Sequence, residues 1–253
     1  MRLDKKTAIV TGAASGIGRT TAVRMAGEGA LVIAADINER GLAETAEMAK
    51  AQGYMLETLL CDVSKEEDVK NVVSRAVEMF GRIDALVNIA GVSITKYVTD
   101  TSREEYSRIM DVNMGGCFLF TREALKHMKE QRFGAIVNLA SELAFVGYPD
   151  LAAYTSTKGA MIAFSRSVAL DAIRYNVRVN CVCPGATDTP IFWDGVDDPE
   201  ERRKMLEQVK AEKPIGRLIT TDEVANGIIF MISDEASACV GANLVMDGGF
   251  IAI

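Results

Sequence analysis

A chain of 253 residues, 49% of them hydrophobic, can bury a large core, either as one α/β domain or as two small ones. Its net charge of −7, without a basic tract, argues against nucleic acid or an anionic membrane surface as the main partner. No linker rich in proline or serine and no charge block divides the sequence, so we expect one domain over residues 1–253.

The first apolar run, at residues 7–11, follows two lysines and is too short for a secretion signal or a membrane span. We therefore expect a soluble, cytoplasmic protein. The cysteines form no CxxC pair and the only histidine, His127, lies in a polar helical run, so we expect no metal site. Cys181 and Cys183 lie two residues apart on a predicted strand, which favours buried free thiols over a disulfide.

Apolar runs rich in β-branched residues alternate with helical stretches along the chain. The predicted strands are residues 7–11, 30–36, 56–63, 84–91, 134–141, 177–185 and 243–249. The predicted helices are one beginning near Gly16, then residues 39–52, 66–80, 102–131, 154–175 and 222–233. Several strands are continuously apolar, as is typical of strands covered on both faces. The alternation predicts an α/β fold with a doubly wound, seven-stranded parallel sheet, helices on both faces and a ligand site at the carboxyl ends of the strands.

Residues 186–217 interrupt this alternation after the sixth strand. They contain the only tryptophan, an acidic turn and a short amphipathic helix. A long excursion at the ligand end of a sheet is usually a lid or a binding loop, and we expect a substrate lid at this place.

Three glycines follow the first strand in the stretch TGAASGIG, residues 11–18. Gly12 permits a tight turn, Gly16 allows backbone to approach a pyrophosphate, and Gly18 allows the following helix to pack on the strand. This pattern between a strand and a helix predicts a dinucleotide site, although a purely structural turn remains an alternative.

Asp36 ends the second strand and stands where the adenosine ribose of a dinucleotide would lie. A carboxylate there accepts hydrogen bonds from the ribose hydroxyls of NAD and repels the 2′-phosphate of NADP. Neither Ser15 nor Ile37 supplies the cation that NADP would need. We therefore expect NAD as the cofactor, the alternative for Asp36 being a turn residue or helix cap.

Tyr154 and Lys158 are four residues apart in a predicted helix and therefore lie on one face. A nearby ammonium and the positive nicotinamide ring would favour the phenolate of Tyr154 and lower its pKa from about 10. The tyrosinate would then accept the hydroxyl proton of a secondary alcohol while hydride leaves the carbon. Ser141, at the end of the preceding strand, could hold the same oxygen by hydrogen bonding.

Together these motifs resemble those of the short-chain dehydrogenase/reductase family, and the likeness runs from Thr11 to Gly249. The family's TGxxxGIG matches residues 11–18, and its YxxxK matches Tyr154 and Lys158. The resemblance implies a single-domain Rossmann fold and an oxidoreductase that acts on CH–OH groups. It also implies a homotetramer, in which helices such as 102–131 and 154–175 pack between subunits.

The resemblance assigns further site residues. The family's catalytic serine falls at Ser141, and its asparagine, which holds a water in a proton relay to the lysine, matches Asn113. Asp62 matches the adenine-contacting acid. The implied catalytic residues are Asn113, Ser141, Tyr154 and Lys158. The implied cofactor-binding residues are Gly12, Ser15, Gly16, Ile17, Gly18, Asp36, Ile37, Asp62, Val63, Asn88, Ala90, Gly91, Tyr154, Lys158, Pro184, Gly185, Thr187 and Thr189.

The chain departs from the family pattern in two places that concern the site. Where the family has NNAG, this chain has NIAG, with Ile89 in place of the second asparagine, which puts one local hydrogen bond in doubt. Glu142 and Phe145 follow the serine where small residues are common, and they give this pocket its own character. Simpler structural roles remain as alternatives for three residues: a strand-end cap for Ser141, a helix-interior kink for Asn113 and an Asx turn for Asp62.

Apolar residues dominate the predicted substrate side. The 186–217 segment contributes Ile191, Phe192, Trp193, Val196, Met205 and Leu206. The opposite wall contributes Val92, Ile94, Phe145, Val146 and Tyr148. This lining suits an apolar alicyclic or hydroxysteroid-like alcohol or ketone, unless the segment's apolar residues only pack it against the domain.

Two other functions are alternatives within the same fold. A 3-oxoacyl-thioester reductase usually needs NADPH and a basic surface for its carrier protein, so Asp36 and the charge of −7 count against it. A non-catalytic dinucleotide-binding regulator is disfavoured because the catalytic motifs are intact. The apolar C-terminal stretch, residues 248–253, fits burial at a subunit interface.

Overall fold

All seven predicted strands pair into one sheet in the computed structural model, which describes residues 1–252. The strands are β1 (Thr7–Thr11), β2 (Leu31–Asp36), β3 (Leu56–Leu60), β4 (Ala85–Asn88), β5 (Gly134–Leu139), β6 (Val177–Pro184) and β7 (Asn243–Met246). Their order across the sheet is β3-β2-β1-β4-β5-β6-β7, and every neighbouring pair is parallel. The order reverses at β1 and β4, so the prediction of a doubly wound parallel sheet is confirmed.

Eight α-helices are present in the described part of the chain. They are α1 (Gly16–Gly27), α2 (Glu39–Ala51), α3 (Glu66–Phe80), α4 (Arg103–Met110), α5 (Gly116–Gln131), α6 (Ala152–Ala172), α7 (Pro199–Glu212) and α8 (Thr221–Ile232). Helices α1, α2 and α8 cover one face of the sheet, and α3, α5 and α6 cover the other. None of these helices, within residues 1–252, is long and apolar enough to cross a lipid bilayer.

The central strands are continuously apolar because both of their faces are covered. In β1, Ala8 and Val10 belong to the core beneath α1 and α8, whereas Ile9 belongs to the core beneath α3 and α5. Successive side chains of a strand point to opposite faces, so a strand between two helix layers needs apolar residues at every position.

The strands β3, β4, β5 and β7 end earlier than the sequence predicts. The predicted runs 56–63, 84–91, 134–141 and 243–249 leave the sheet at Leu60, Asn88, Leu139 and Met246. Residues just beyond these ends, such as Cys61 and Ala140, are still buried, so the apolar pattern continues after the ladder has stopped. These buried loop starts form the carboxyl edge of the sheet, where the candidate site lies.

The predicted helix 102–131 is one helical run interrupted by a π-turn at Asp111–Gly115. Ser102 caps its start in a capping box with Glu105, which agrees with the predicted N-terminus. The predicted helix 154–175 begins two residues earlier, at Ala152, and its last turn is a 3₁₀ turn. A π-turn like the one at Asp111–Gly115 is frequently found at a functional position.

The cysteines of the chain are all free thiols, as predicted for Cys181 and Cys183. Four of them are buried and Cys239 is partly exposed. The C-terminal stretch ends in a 3₁₀ turn at Phe250–Ala252, and its final residue, Ile253, lies outside the described residues.

Candidate active site

The glycine turn between β1 and α1 is shaped by close backbone contacts. Gly12 has φ +69°, and a Cβ at this position would lie 2.8 Å from the backbone nitrogen of Ala90. A Cβ at Gly18 would overlap the carbonyl oxygen of Gly12. Helix α1 starts at Gly16 without a side-chain cap, since Ser15 makes no capping hydrogen bond. Its first N–H groups are therefore free for an anion, and the turn fits the pyrophosphate of a dinucleotide.

The departure at Ile89 does not loosen the neighbouring loop after β4. The Thr11 hydroxyl oxygen accepts hydrogen bonds from the backbone nitrogens of Ile89 (3.0 Å) and Ala90 (3.2 Å). Asn88 donates to Asn138 Oδ1 at 2.8 Å and to the Thr121 hydroxyl at 3.2 Å. The loop is thus anchored to β1 by its main chain.

Asp36 accepts two main-chain hydrogen bonds at the end of β2. Its Oδ2 accepts from Ala14 N at 3.0 Å, and its Oδ1 accepts from Asn38 N at 2.9 Å. The carboxylate is partly exposed, and each oxygen keeps a further lone pair for a ligand. Asp36 therefore has the turn role that the sequence offered as an alternative, and this role holds its carboxylate beside the glycine turn.

The cation that lies beside this turn, Arg19, was not predicted from the sequence. The Arg19 guanidinium donates to the carbonyl oxygen of Ala14, to Thr45 Oγ1 at 3.1 Å and to Glu44 at 2.8 Å. Arg19 follows the last glycine of the motif by one residue, a position that can be read from the sequence. Its contacts hold it against α2, with Glu44 neutralising its charge.

The other cofactor residues predicted from the resemblance lie along the same edge. Asp62 Oδ1 accepts from Ser64 N at 3.0 Å and from the Ser64 hydroxyl at 2.7 Å, the expected Asx turn, and these bonds lower the pKa of Asp62. The segment after β6 reaches the glycine turn, because Thr189 Cγ2 stands 3.3 Å from where a Cβ of Gly16 would lie.

Ser141 and Tyr154 meet at the carboxyl end of β5. Burial raises the pKa of the Tyr154 phenol to about 12; the nearby Ser141 side chain acts in the opposite direction, and the charge of Glu142 adds to the rise. The sequence predicts a lowered pKa under the influence of Lys158 and the nicotinamide ring. In the polypeptide alone burial determines the direction of the shift, although the Lys158 ammonium lies 5.6 Å from the ring centroid of Tyr154.

Lys158 is 3% exposed, and its ammonium donates to the carbonyl oxygen of Leu139 at 2.6 Å. Burial lowers the pKa of Lys158 to about 8. The thiols of Cys117, Cys181 and Cys183 surround it and oppose this shift only weakly. A lysine with this pKa can hold or release a proton near neutral pH, as a relay beside an acid/base residue requires.

Asn113 lies in the π-turn and is fully buried. Its Oδ1 accepts from Val92 N at 2.8 Å, and its Nδ2 donates to Val92 O at 2.9 Å and to Thr157 Oγ1 at 3.1 Å. The side chain therefore joins the loop after β4 to α6, directly beside Lys158. Asn113 thus lies at the interruption of the helix, and its partner Thr157 directly precedes Lys158 in α6.

The predicted substrate side contains a small cavity of about 200 Å³ near the loop after β4. Val92, Ile94 and Ile191 line it as predicted, together with the charged residues Arg108 and Asp194. Phe192 and Trp193 instead pack edge to face on each other, with ring centroids 4.8 Å apart. Trp193 also donates to Asp188 Oδ1 at 2.7 Å, so its indole is held within the segment.

A buried ion pair behind the serine was not predicted. Glu142 and Lys213 are 5% and 6% exposed, and the Lys213 ammonium contacts Glu142 Oε1 directly. The sequence singles out Glu142 as unusual after the serine, but nothing local connects it with a lysine 71 residues away.

The similarity to known proteins extends over almost the whole chain. A family model described as enoyl-(acyl carrier protein) reductase matches residues 12–251. The chain is 38% identical to a cyclopentanol dehydrogenase from Comamonas sp., over 99% of both chains. It is 35% identical to a 3-oxoacyl-[acyl-carrier-protein] reductase from Thermotoga maritima, over 99% of this chain and 100% of the relative.

Among solved structures, a levodione reductase is 33% identical and superposes with a TM-score of 0.94, over 99% of each chain. Fold, motif order and sequence similarity agree over the same residues. The chain belongs to the short-chain dehydrogenase/reductase family, whose oxidoreductases act on alcohol and ketone groups with a nicotinamide dinucleotide.

Proposed function

We propose that this protein is an NAD-dependent oxidoreductase that interconverts a secondary alcohol and a ketone, with an apolar alicyclic or hydroxysteroid-like substrate. The observation that carries the proposal is the arrangement of Ser141, Tyr154 and Lys158 at the carboxyl edge of a doubly wound sheet. The glycine turn and Asp36 lie at the same edge. Ligands of such sheets bind in the crevice outside these strand ends.

The chemistry assigned to the chain is a proton transfer coupled to loss of hydride. When bound, the dinucleotide supplies the hydride acceptor. Ser141 donates a hydrogen bond to the substrate oxygen and orients the carbinol carbon. Tyr154 accepts the hydroxyl proton in oxidation, and returns it to the forming alkoxide in reduction.

Lys158 and Asn113 complete the proposed proton path. The positive charge of Lys158 favours the tyrosinate, although the buried phenol by itself holds its proton. Both Nδ2 donors of Asn113 are already used, by Val92 O and Thr157 Oγ1, so we expect main-chain groups to help hold a relay water at this position. Asn113 then acts by fixing the π-turn.

The preference for NAD is proposed from Asp36. Its carboxylate stands beside the glycine turn with lone pairs free, and it would lie close to the 2′-phosphate of NADP. The cation near this position, Arg19, is bound to Glu44 and the main chain of the turn. A carboxylate and a neutralised guanidinium favour a ribose hydroxyl over a phosphate.

The substrate class rests on the apolar part of the cavity lining, Val92, Ile94 and Ile191. The similarity to a cyclopentanol dehydrogenase supports an alicyclic alcohol. The competing proposal is reduction of a 3-oxoacyl thioester, which the Thermotoga maritima relative favours. Asp36 and the net charge of −7 argue against NADPH and against an acidic carrier protein, so we place it second.

We further propose one domain with a substrate lid at residues 186–217, and a cytoplasmic homotetramer. Helix α7 lies within the lid, whose first residues meet the glycine turn through Thr189. For the tetramer, α5 and α6 offer apolar side chains to a partner, since Phe118 is 43% and Leu170 74% exposed. Exposed apolar side chains on adjacent helices are typical of a subunit interface.

The testing experiment measures formation of NADH by absorbance with cyclic, aliphatic, steroid and 3-hydroxyacyl alcohols, each with NAD and NADP. We expect the fastest turnover with NAD and an alicyclic or steroid alcohol. Tyr154→Phe is the matched control, since it removes only the phenolic oxygen. It should lower turnover by about three orders of magnitude or more while NADH still binds. Absence of turnover with every alcohol and both cofactors would contradict the proposal.

A further inference from the structure

Helix α7 is joined to the loop that carries the catalytic serine by a buried ion pair. Glu142 directly follows Ser141, and Lys213 directly follows Glu212, the last residue of α7. Both side chains are almost completely buried, and the Lys213 ammonium contacts Glu142 Oε1. The ion pair that Lys210 forms with Glu207 on α7 is, by contrast, exposed and local in sequence.

A second polar link joins the same two elements. Tyr148 lies in the loop between Ser141 and α6, and its hydroxyl accepts a hydrogen bond from Gln208 Nε2 at 2.9 Å. The same hydroxyl lies 3.3 Å from both carboxylate oxygens of Glu212. Gln208 and Glu212 are one turn apart on α7, so they present one face of the helix to this loop.

The environment of the ion pair extends to the cofactor side of the site. Glu142 Oε2 is buried without a hydrogen-bond partner and stands 2.7 Å from where a Cβ of Gly185 would lie. The Lys213 ammonium also lies 3.2 Å from the centroid of the Phe250 ring. Asp247 adds a second negative charge near Glu142. The pair therefore stands where the serine loop, the loop after β6 and the C-terminal segment meet.

Fold stability does not account for such a pair. Transferring two charges from water into the interior costs about as much as their attraction returns, and apolar residues of similar volume are often equally stable. In some proteins a buried pair instead specifies the relative position of the groups that carry it. Here those groups are the end of α7 and the residue after the catalytic serine.

We propose that Glu142 and Lys213 are positioning residues that clamp helix α7 onto the loop of Ser141, with Tyr148, Gln208 and Glu212 as a second attachment. The clamp sets the docked position of the 186–217 segment and with it the substrate side of the pocket. This inference rests on the proposed function, in which that segment is the lid over an alcohol. It assigns Glu142 and Lys213 no contact with the reacting atoms.

The test compares three variants with the wild-type protein. Lys213→Met removes one charge of the clamp, and the double variant Glu142→Gln/Lys213→Met removes both, which guards against a misfolded single variant. Lys210→Met is the matched control, because it lies on the same helix and its partner Glu207 is exposed. Each protein is first characterised by its melting temperature and by its affinity for NADH.

The first readout is hydrogen–deuterium exchange of the α7 amides, which reports local opening without any turnover. We expect exchange in α7 to be about tenfold faster in both clamp variants, and unchanged in Lys210→Met. The second readout is steady-state kinetics with the alcohol that the wild-type enzyme oxidises fastest. We expect KM for this alcohol to rise by about tenfold, while the affinity for NADH changes by less than about twofold.

The double variant distinguishes positioning from general stability. We expect its melting temperature to return to that of the wild-type protein, while α7 exchange and KM stay raised. Unchanged exchange in α7 in the double variant would overturn the proposal, as would an unchanged KM in an active enzyme. If the wild-type protein oxidises none of the alcohols, the proposed function fails, and the exchange measurement still decides whether the clamp exists.

Discussion

The replacement Asp36→Ala tests the link between one carboxylate and the choice of cofactor. Asp36 Oδ2 and Oδ1 each accept one main-chain hydrogen bond, from Ala14 and Asn38. Each oxygen keeps a lone pair that can accept a ribose hydroxyl. The replacement therefore removes the proposed ribose contacts together with two bonds that shape the turn.

The magnitude follows from the contacts that are lost. One hydrogen bond to a charged group contributes about 2 kcal/mol, and because Asp36 is partly exposed we count one such bond. This corresponds to NAD binding that is weaker by about 30-fold. Removal of a negative charge near a 2′-phosphate should strengthen NADP binding by about tenfold, the effect of roughly 1.4 kcal/mol of lost repulsion.

The assay is titration of each protein with NADH and NADPH, followed by nucleotide fluorescence, and the quantity compared is the ratio of the two dissociation constants. Asn38→Ala is the matched control. It removes the side chain that caps α2 by accepting from Gly41 N at 3.1 Å, and costs about 1 kcal/mol of stability. It perturbs the same turn but leaves the carboxylate, so the ratio should stay as in the wild-type protein.

Two results would refute this reasoning. If Asp36→Ala binds NADH with unchanged affinity, the carboxylate does not contact the ribose. If Asn38→Ala shifts the ratio as far as Asp36→Ala does, the selectivity comes from the shape of the turn rather than from the charge.

Three further predictions concern burial and assembly. Burial lowers the pKa of Lys158 from 10.5 to about 8, so the unfolded state binds more protons than the native state between these pH values. In denaturant titrations, the unfolding free energy of the wild type relative to that of Lys158→Met should therefore rise from pH 8 to pH 10.5. A difference that stays constant with pH would contradict this prediction. A thiol reagent should modify only Cys239 in the native protein, because burial raises the pKa of Cys117 and Cys183 to about 12; rapid labelling of all the thiols would contradict it. Leu170→Asp should reduce the mass measured by light scattering, and an unchanged mass would exclude α6 from the interface.

Short-range patterns determined the fold. Continuous apolar runs predicted the strands, and stretches that mix apolar and charged residues predicted the helices; the majority of the ends agree to within about two residues. The predicted strands ran too far only at the carboxyl edge, where Cys61 and Ala140 stay buried after the ladder has ended. There the apolar residues indicate burial rather than strand pairing, because the first residues of a loop can be as buried as those of a strand.

Spacing predicted part of the candidate site, the glycine turn, Asp36 and the pair Tyr154 and Lys158, whereas Asn113 and Asp62 were implied only by the resemblance to the family. The glycine turn and the pair Tyr154 and Lys158 need only local geometry. At Asn113 the sequence offers a helix-interior kink as an alternative role, and the structure has a π-turn there whose asparagine bonds Val92 and Thr157, residues of other elements.

By itself the sequence determined the order of the strands and helices, the glycine turn and the set of residues that carry the proposed hydride chemistry. The tertiary structure decided the electrostatics: a raised pKa for Tyr154, a lowered pKa for Lys158, and the buried contact of Glu142 with Lys213. The physical reason is that pKa shifts and ion pairs depend on desolvation and on neighbours far away along the chain. Spacing identifies which groups are present, but only packing determines what surrounds them.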